Sequence, residues 1–219
     1  MVAELVDMDV VNVPTMDWAQ AAATTVRMAQ RITGRSVVLV PEYMDPDKLQ
    51  AMKNYGESCI TFQPVAATSQ GTMDLEDLKA KLNDQVIGVY FENPGYLGVI
   101  EPNGQQISDL VHAAGGLSLV GVDPISLGVL AAPPSYGADI VCGDLQPLGI
   151  HMNYGGGQGG YLTGGLGAGT QARLLSAAPD ECRQLQSFSD VQRTDPFGSM
   201  NLVAADGQQI HPQLLWRKG

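Results

Sequence analysis

From Leu82 to Arg217 the sequence contains no lysine. A protein that holds a carbonyl cofactor as an imine needs an amine at the centre of its site. The glycine-rich stretch Gly143-Asp-Leu-Gln-Pro-Leu-Gly-Ile-His-Met-Asn-Tyr-Gly-Gly-Gly157 supplies none. Cysteine is also scarce. Cys59, Cys142 and Cys182 are far apart and form no CxxC pair, a usage that fits reduced thiols and a cytoplasmic setting. Long apolar runs are missing, and Val37-Val-Leu-Val40 is far too short to cross a bilayer. Cations are few as well: 12 Lys and Arg stand against 23 Asp and Glu. A net charge of -11 repels the phosphates of nucleic acid, so neither nucleic acid nor membrane is an expected partner. The opening Met-Val-Ala-Glu-Leu-Val-Asp is acidic where a secretory signal would be basic, and no targeting segment is expected.

What is present suffices for a substantial core, with 44% apolar residues in a chain of 219. Charge divides the chain. Residues 1–164 hold 18 acidic and 7 basic residues and carry the whole net charge, whereas residues 165–219 hold 5 of each. The second segment also has weaker periodicity and opens on Gly164-Gly-Leu-Gly-Ala-Gly169. The expected division is a main portion over 1–164 and a tail of a different kind over 165–219.

The first segment alternates helical patterns with short apolar runs. Thr15 or Asp17 can cap a helix through Ala19–Ile32, which Gly34 ends. Ser36–Val40 and Ser58–Phe62 read as strands, separated by a helix over Pro46–Asn54 that starts on proline. Asp74 can cap Leu75–Leu82, followed by a strand at Val86–Phe91, a helix over 105–114 and a strand at Leu117–Val120. Tyr136–Cys142 contains the next strand, and Gly159–Thr163 lies close enough behind it to return antiparallel. Apolar runs without alternation, spaced by helices, predict a three-layer α/β fold whose mostly parallel sheet is buried on both faces.

Ligands of such sheets sit beyond the carboxyl ends of the strands. Three loops there can line one crevice: Phe91–Tyr96, Val122–Ser126 and Gly143–Gly157. Asp123 leaves an apolar strand straight into proline, where a carboxylate can hold a pyridinium nitrogen or a polar substrate group. The same position also suits a turn aspartate capping the segment from Ile125 to Leu130. Glu92 and Asn93 precede Pro94-Gly95, and an ordinary turn explains them more simply than binding does. Gln146 and His151 belong to the third loop. His112 and His211 lie far from His151 in sequence, so no zinc cluster is expected.

Gly155, Gly157 and Gly160 match GxGxxG, with Asp180 twenty residues beyond. The segment before them is no buried strand and the one after opens no helix, so the dinucleotide fingerprint lacks its context. Gly116-Leu-Ser118 lacks the closing glycine of a nucleophile elbow. Cys142 lies in an apolar run and reads as core.

Five segments carry a family resemblance: Met1–Val13, Asn93-Pro-Gly-Tyr-Leu-Gly-Val-Ile-Glu101, Asp123-Pro-Ile-Ser-Leu127, Tyr136-Gly-Ala-Asp-Ile-Val-Cys-Gly-Asp-Leu-Gln-Pro-Leu-Gly149 and Gly155–Tyr161. Together they resemble the P-protein of the glycine cleavage system, in particular the first subunit of its split form. The resemblance implies the large domain of an aspartate-aminotransferase-type (fold type I) pyridoxal-phosphate enzyme, built on a mostly parallel seven-stranded sheet. It implies that the complete protein decarboxylates glycine and passes the aminomethyl group to the lipoyl arm of H-protein. It places the Schiff-base lysine and pyridoxal phosphate on a second subunit, leaving no cofactor on this chain alone. Asp123 would then be an inherited counterpart of the pyridinium-binding aspartate. The resemblance also implies a start inside the large domain and no small C-terminal domain. Two further readings stay open: an inert structural remnant with the same fold, and an independent enzyme holding pyridoxal phosphate noncovalently.

Overall fold

The computed structural model describes residues 1–12, 15–56, 59–152 and 154–164, together with the short strands at 202–204 and 209–210. The expected tail, residues 165–219, otherwise lies outside the described residues. Two elements precede the first expected helix: α1 (Val2–Val6) and β1 (Val10–Asn12). Then come α2 (Trp18–Thr33), β2 (Val37–Pro41), α3 (Pro46–Gly56), β3 (Thr61–Val65), α4 (Leu75–Lys81), β4 (Val86–Glu92), α5 (Gly104–Ala113), β5 (Leu117–Gly121), β6 (Ile140–Asp144) and β7 (Gly160–Gly164). The remaining strands are β8 (Leu202–Ala204) and β9 (Gln209–Ile210).

The strands form one nine-stranded sheet in the order β3-β2-β4-β5-β6-β7-β1-β8-β9. The β3-β2-β4-β5-β6 block is parallel, and β7 returns antiparallel beside β6. Every residue of β4 and β5 is buried, the burial on both faces that the unbroken apolar runs predict. The helices make the two outer layers. Ala21, Ala22, Val26 and Ala29 of α2, with Met52 of α3, pack on Val38, Val40, Leu119 and Ile140. Leu78 of α4 and Ile107 and Val111 of α5 pack with Leu39, Val89 and Val120 in the other layer. The small side chains along α2 let its backbone come close to the sheet.

Local chemistry sets the edges of these elements. Asp17 caps α2 by accepting from Gln20 N–H at 2.7 Å, while Gln20 Oε1 accepts from Met16 N–H at 2.7 Å, a reciprocal capping box. Gly34, with φ +67°, closes the same helix. The third strand begins three residues later than expected, at Thr61 instead of Ser58, and runs through Pro64. It is the edge strand of the sheet, where a missing N–H is tolerated. Lys81 Nζ covers the Pro64 carbonyl at 2.8 Å, further blunting that edge.

A bulge in β4 decides which side chains face α2. Val37 pairs with Val86 but Val38 with Gly88, so Ile87 is an extra residue. Ile87 and Tyr90 consequently share the α2 face although they stand at i and i+3, an odd spacing that would otherwise place them on opposite faces. A side chain at Gly88 would run into the Leu117 backbone, which explains the glycine there.

Candidate functional site

The carboxyl ends of the parallel strands form one rim, divided into two different halves. Under β2 and β4 lies an ionic cluster. Lys48 Nζ, from the first turn of α3, donates to Glu92 Oε1 at 2.7 Å, and the two side chains are only 11% and 6% exposed. Tyr90 O–H donates to the same carboxylate at 2.8 Å. The Lys48 ammonium lies 3.6 Å from the centre of the Trp18 ring, at the start of α2, so the cation has an anion and an aromatic face as partners. Burial, reinforced by the Glu92 charge, raises the Tyr90 phenol well above its usual range and keeps it a hydrogen-bond donor. Burial likewise pushes the Cys142 thiol up to about 12, so Cys142 is packed core at neutral pH and no nucleophile.

Beside the cluster a shallow groove opens to solvent, lined among others by Tyr43, Met44, Val65, Phe91, Tyr96 and Leu97. Glu92 and Glu101 reach its wall, but Glu101 is engaged: Oε2 accepts from Met73 N–H at 2.7 Å and Oε1 from Asn103 N–H at 3.1 Å. Asn93 does not face the groove with a free amide. Its Nδ2 donates to the Glu101 carbonyl at 3.3 Å and its Oδ1 accepts from Glu101 N–H at 3.2 Å, which ties the 93–101 loop shut.

Asp123 and Gln146 lie in the other half of the rim. Asp123 Oδ1 accepts from Ile125 N–H at 3.0 Å and begins a 3-10 turn, Pro124–Gly128. The turn-capping role is the one this geometry displays. A second 3-10 turn, Gln146–Leu148, packs against the first, and its start is held by Asp144 Oδ1 accepting from Gln146 N–H at 2.9 Å. Gln146 and His151 are exposed. Between the turns Tyr161 is buried and donates to the Val122 carbonyl at 3.2 Å; burial and the neighbouring negative groups, Asp123 and Asp144 among them, raise its phenol. The five residues expected along one crevice thus divide: Glu92 and Asn93 by the groove, Asp123, Gln146 and His151 on the turns of β5–β7.

Lys48, Trp18 and Tyr90 were not among the expected site residues. A signal existed for Lys48: a lysine in the first turn of a helix opposes the helix dipole, a placement that needs a compensating anion. Its partner lies 44 residues away, however, and sequence spacing cannot reveal it.

The rim groups can be tested against pyridoxal phosphate, the cofactor the resemblance implies for the complete enzyme. An anionic phosphate suits a helix N-terminus with free N–H groups. Here a carboxylate, Asp17, stands at the start of α2 and accepts from Gln20 N–H at 2.7 Å, where it would repel a phosphate. An imine needs a free amine, and the lysine of the crevice region is paired to Glu92 beneath Trp18. The connection from β6 to β7 has none. These residues do not fit the cofactor. Among the described residues, no group of three or more His, Cys, Asp or Glu could hold a metal ion, and no helix is long and apolar enough to cross a membrane.

The chain has recognisable relatives among known proteins. The family described as "Glycine cleavage system P-protein" matches residues 1–167. A "Probable glycine dehydrogenase (decarboxylating) subunit 1" of Saccharolobus islandicus (strain L.S.2.15 / Lassen #1) is 42% identical over 159 residues, 71% of this chain and 35% of that protein. The protein of the same description from Aeropyrum pernix is 42% identical over 160 residues, covering 71% of this chain and 34% of its own length. The chain therefore spans about a third of the length of these relatives. A crystal structure of glycine decarboxylase (P-protein) of the glycine cleavage system, in inhibitor-bound form, superposes with a TM-score of 0.70 at 33% identity, over 80% of this chain and 38% of that one. The cystathionine gamma-lyase of Lactobacillus plantarum, complexed with L-serine, shares the fold with a TM-score of 0.58 at 18% identity, over 79% and 43% of the two chains. The fold is that of the fold type I large domain, as expected.

Proposed function

The chain belongs to the glycine cleavage system P-protein family, and from that premise we propose that it serves as the non-cofactor subunit of a glycine-decarboxylating enzyme. Its task is assembly with a lysine-bearing second subunit, which holds pyridoxal phosphate. The complete complex decarboxylates glycine and hands the aminomethyl group to lipoylated H-protein. This chain contributes shape and surface, and the cofactor chemistry belongs to its partner. The cofactor supplies the electron sink for decarboxylation when bound in that partner.

The observation that carries the proposal is the closed ionic cluster at the rim: the lysine of the crevice region is neutralised by Glu92, and the start of α2 is filled by Asp17. The likeness to proteins described as subunit 1 supports a partnered role. Native mass spectrometry of this chain, a lysine-bearing P-protein second subunit and pyridoxal phosphate tests it. The expected result is a mixed complex that carries cofactor mass through the second subunit. Cofactor bound stoichiometrically to this chain alone would support independent noncovalent binding instead. Failure of any mixed complex to form would favour an inert remnant of the same fold.

A further inference from the structure

We draw no further inference here: the strongest candidate, the shallow groove among the loops that follow β2, β3 and β4, walled by Tyr43, Phe91 and Tyr96, carries nothing, because Glu92 and Glu101 on its wall are already engaged and nothing in the structure shows what covers it.

Discussion

The two halves of the sheet's carboxyl rim treat their polar groups differently. Under β4 a lysine, a carboxylate, a phenol and an indole satisfy one another largely out of solvent's reach. Along β5–β7 the carboxylates hold their own turns, and apolar side chains stand in water. The first half turns its polar groups inward, beside a groove lined largely by apolar side chains. Both halves expose apolar side chains, Tyr96 and Leu97 by the groove and Val129 and Met152 on the turns, but the first also buries an ion pair.

The most severe way to break the contrast is to open the closed half. Lys48→Met leaves Glu92 buried without its cation and should cost about 3–5 kcal/mol in chemical denaturation. Restoring neutrality with Glu92→Gln in the same chain should recover part of that loss. If Lys48→Met costs nothing, the pair is no buried clamp. Gly88→Ala comes next, because the added methyl meets the Leu117 backbone and the strand must shift; about 1–3 kcal/mol is expected by the same assay. Asp17→Ala removes the capping oxygen from Gln20 N–H and should cost about 1 kcal/mol. The same variant bears on the cofactor: freeing the start of α2 should not by itself confer pyridoxal-phosphate absorbance, since no free amine is created.

The smallest effect lies far from the rim. His112 Nε2 sits 2.7 Å from Asp139 Oδ2, and that hydrogen bond raises the imidazole above its ordinary value. A group with a raised folded-state value contributes its stability fully below the unfolded value, near 6.5, and loses it as pH rises through the folded value. Wild type should therefore exceed His112→Asn in stability at mildly acidic pH, and the gap should shrink toward alkaline pH. Partial exposure of the pair limits the gap to less than about 1 kcal/mol. A gap independent of pH between 5 and 9 would contradict the assigned ion pair (a range chosen to bracket roughly the histidine value).

Much of the fold was legible in the sequence because its signals are local. Val86–Phe91 lacks alternation and is buried on both faces; Asp74 caps the helix that starts beside it; Gly159–Thr163 returns beside the preceding strand. What escaped was short or long-range. The five residues of α1 and three of β1 are too brief for periodicity to distinguish. Pro64 masked an edge strand, and the bulge at Ile87 reverses which face Tyr90 occupies. The site was harder to read for the same reason. Spacing could place Asp123, Glu92, Asn93, Gln146 and His151 at strand ends. It could not show that Asn93 is bound to Glu101, or that Lys48 comes from another part of the chain to meet Glu92.

Hydrogen–deuterium exchange of the full chain, alone and saturated with the lysine-bearing second subunit, addresses the contrast most directly. In the chain alone, exchange should be slow at the amides of β4 beside the ionic cluster and fast at residues 146–152 of the turns. Fast exchange along β4 would contradict the closed cluster, and a chain left unprotected everywhere by the second subunit would contradict the first-subunit reading.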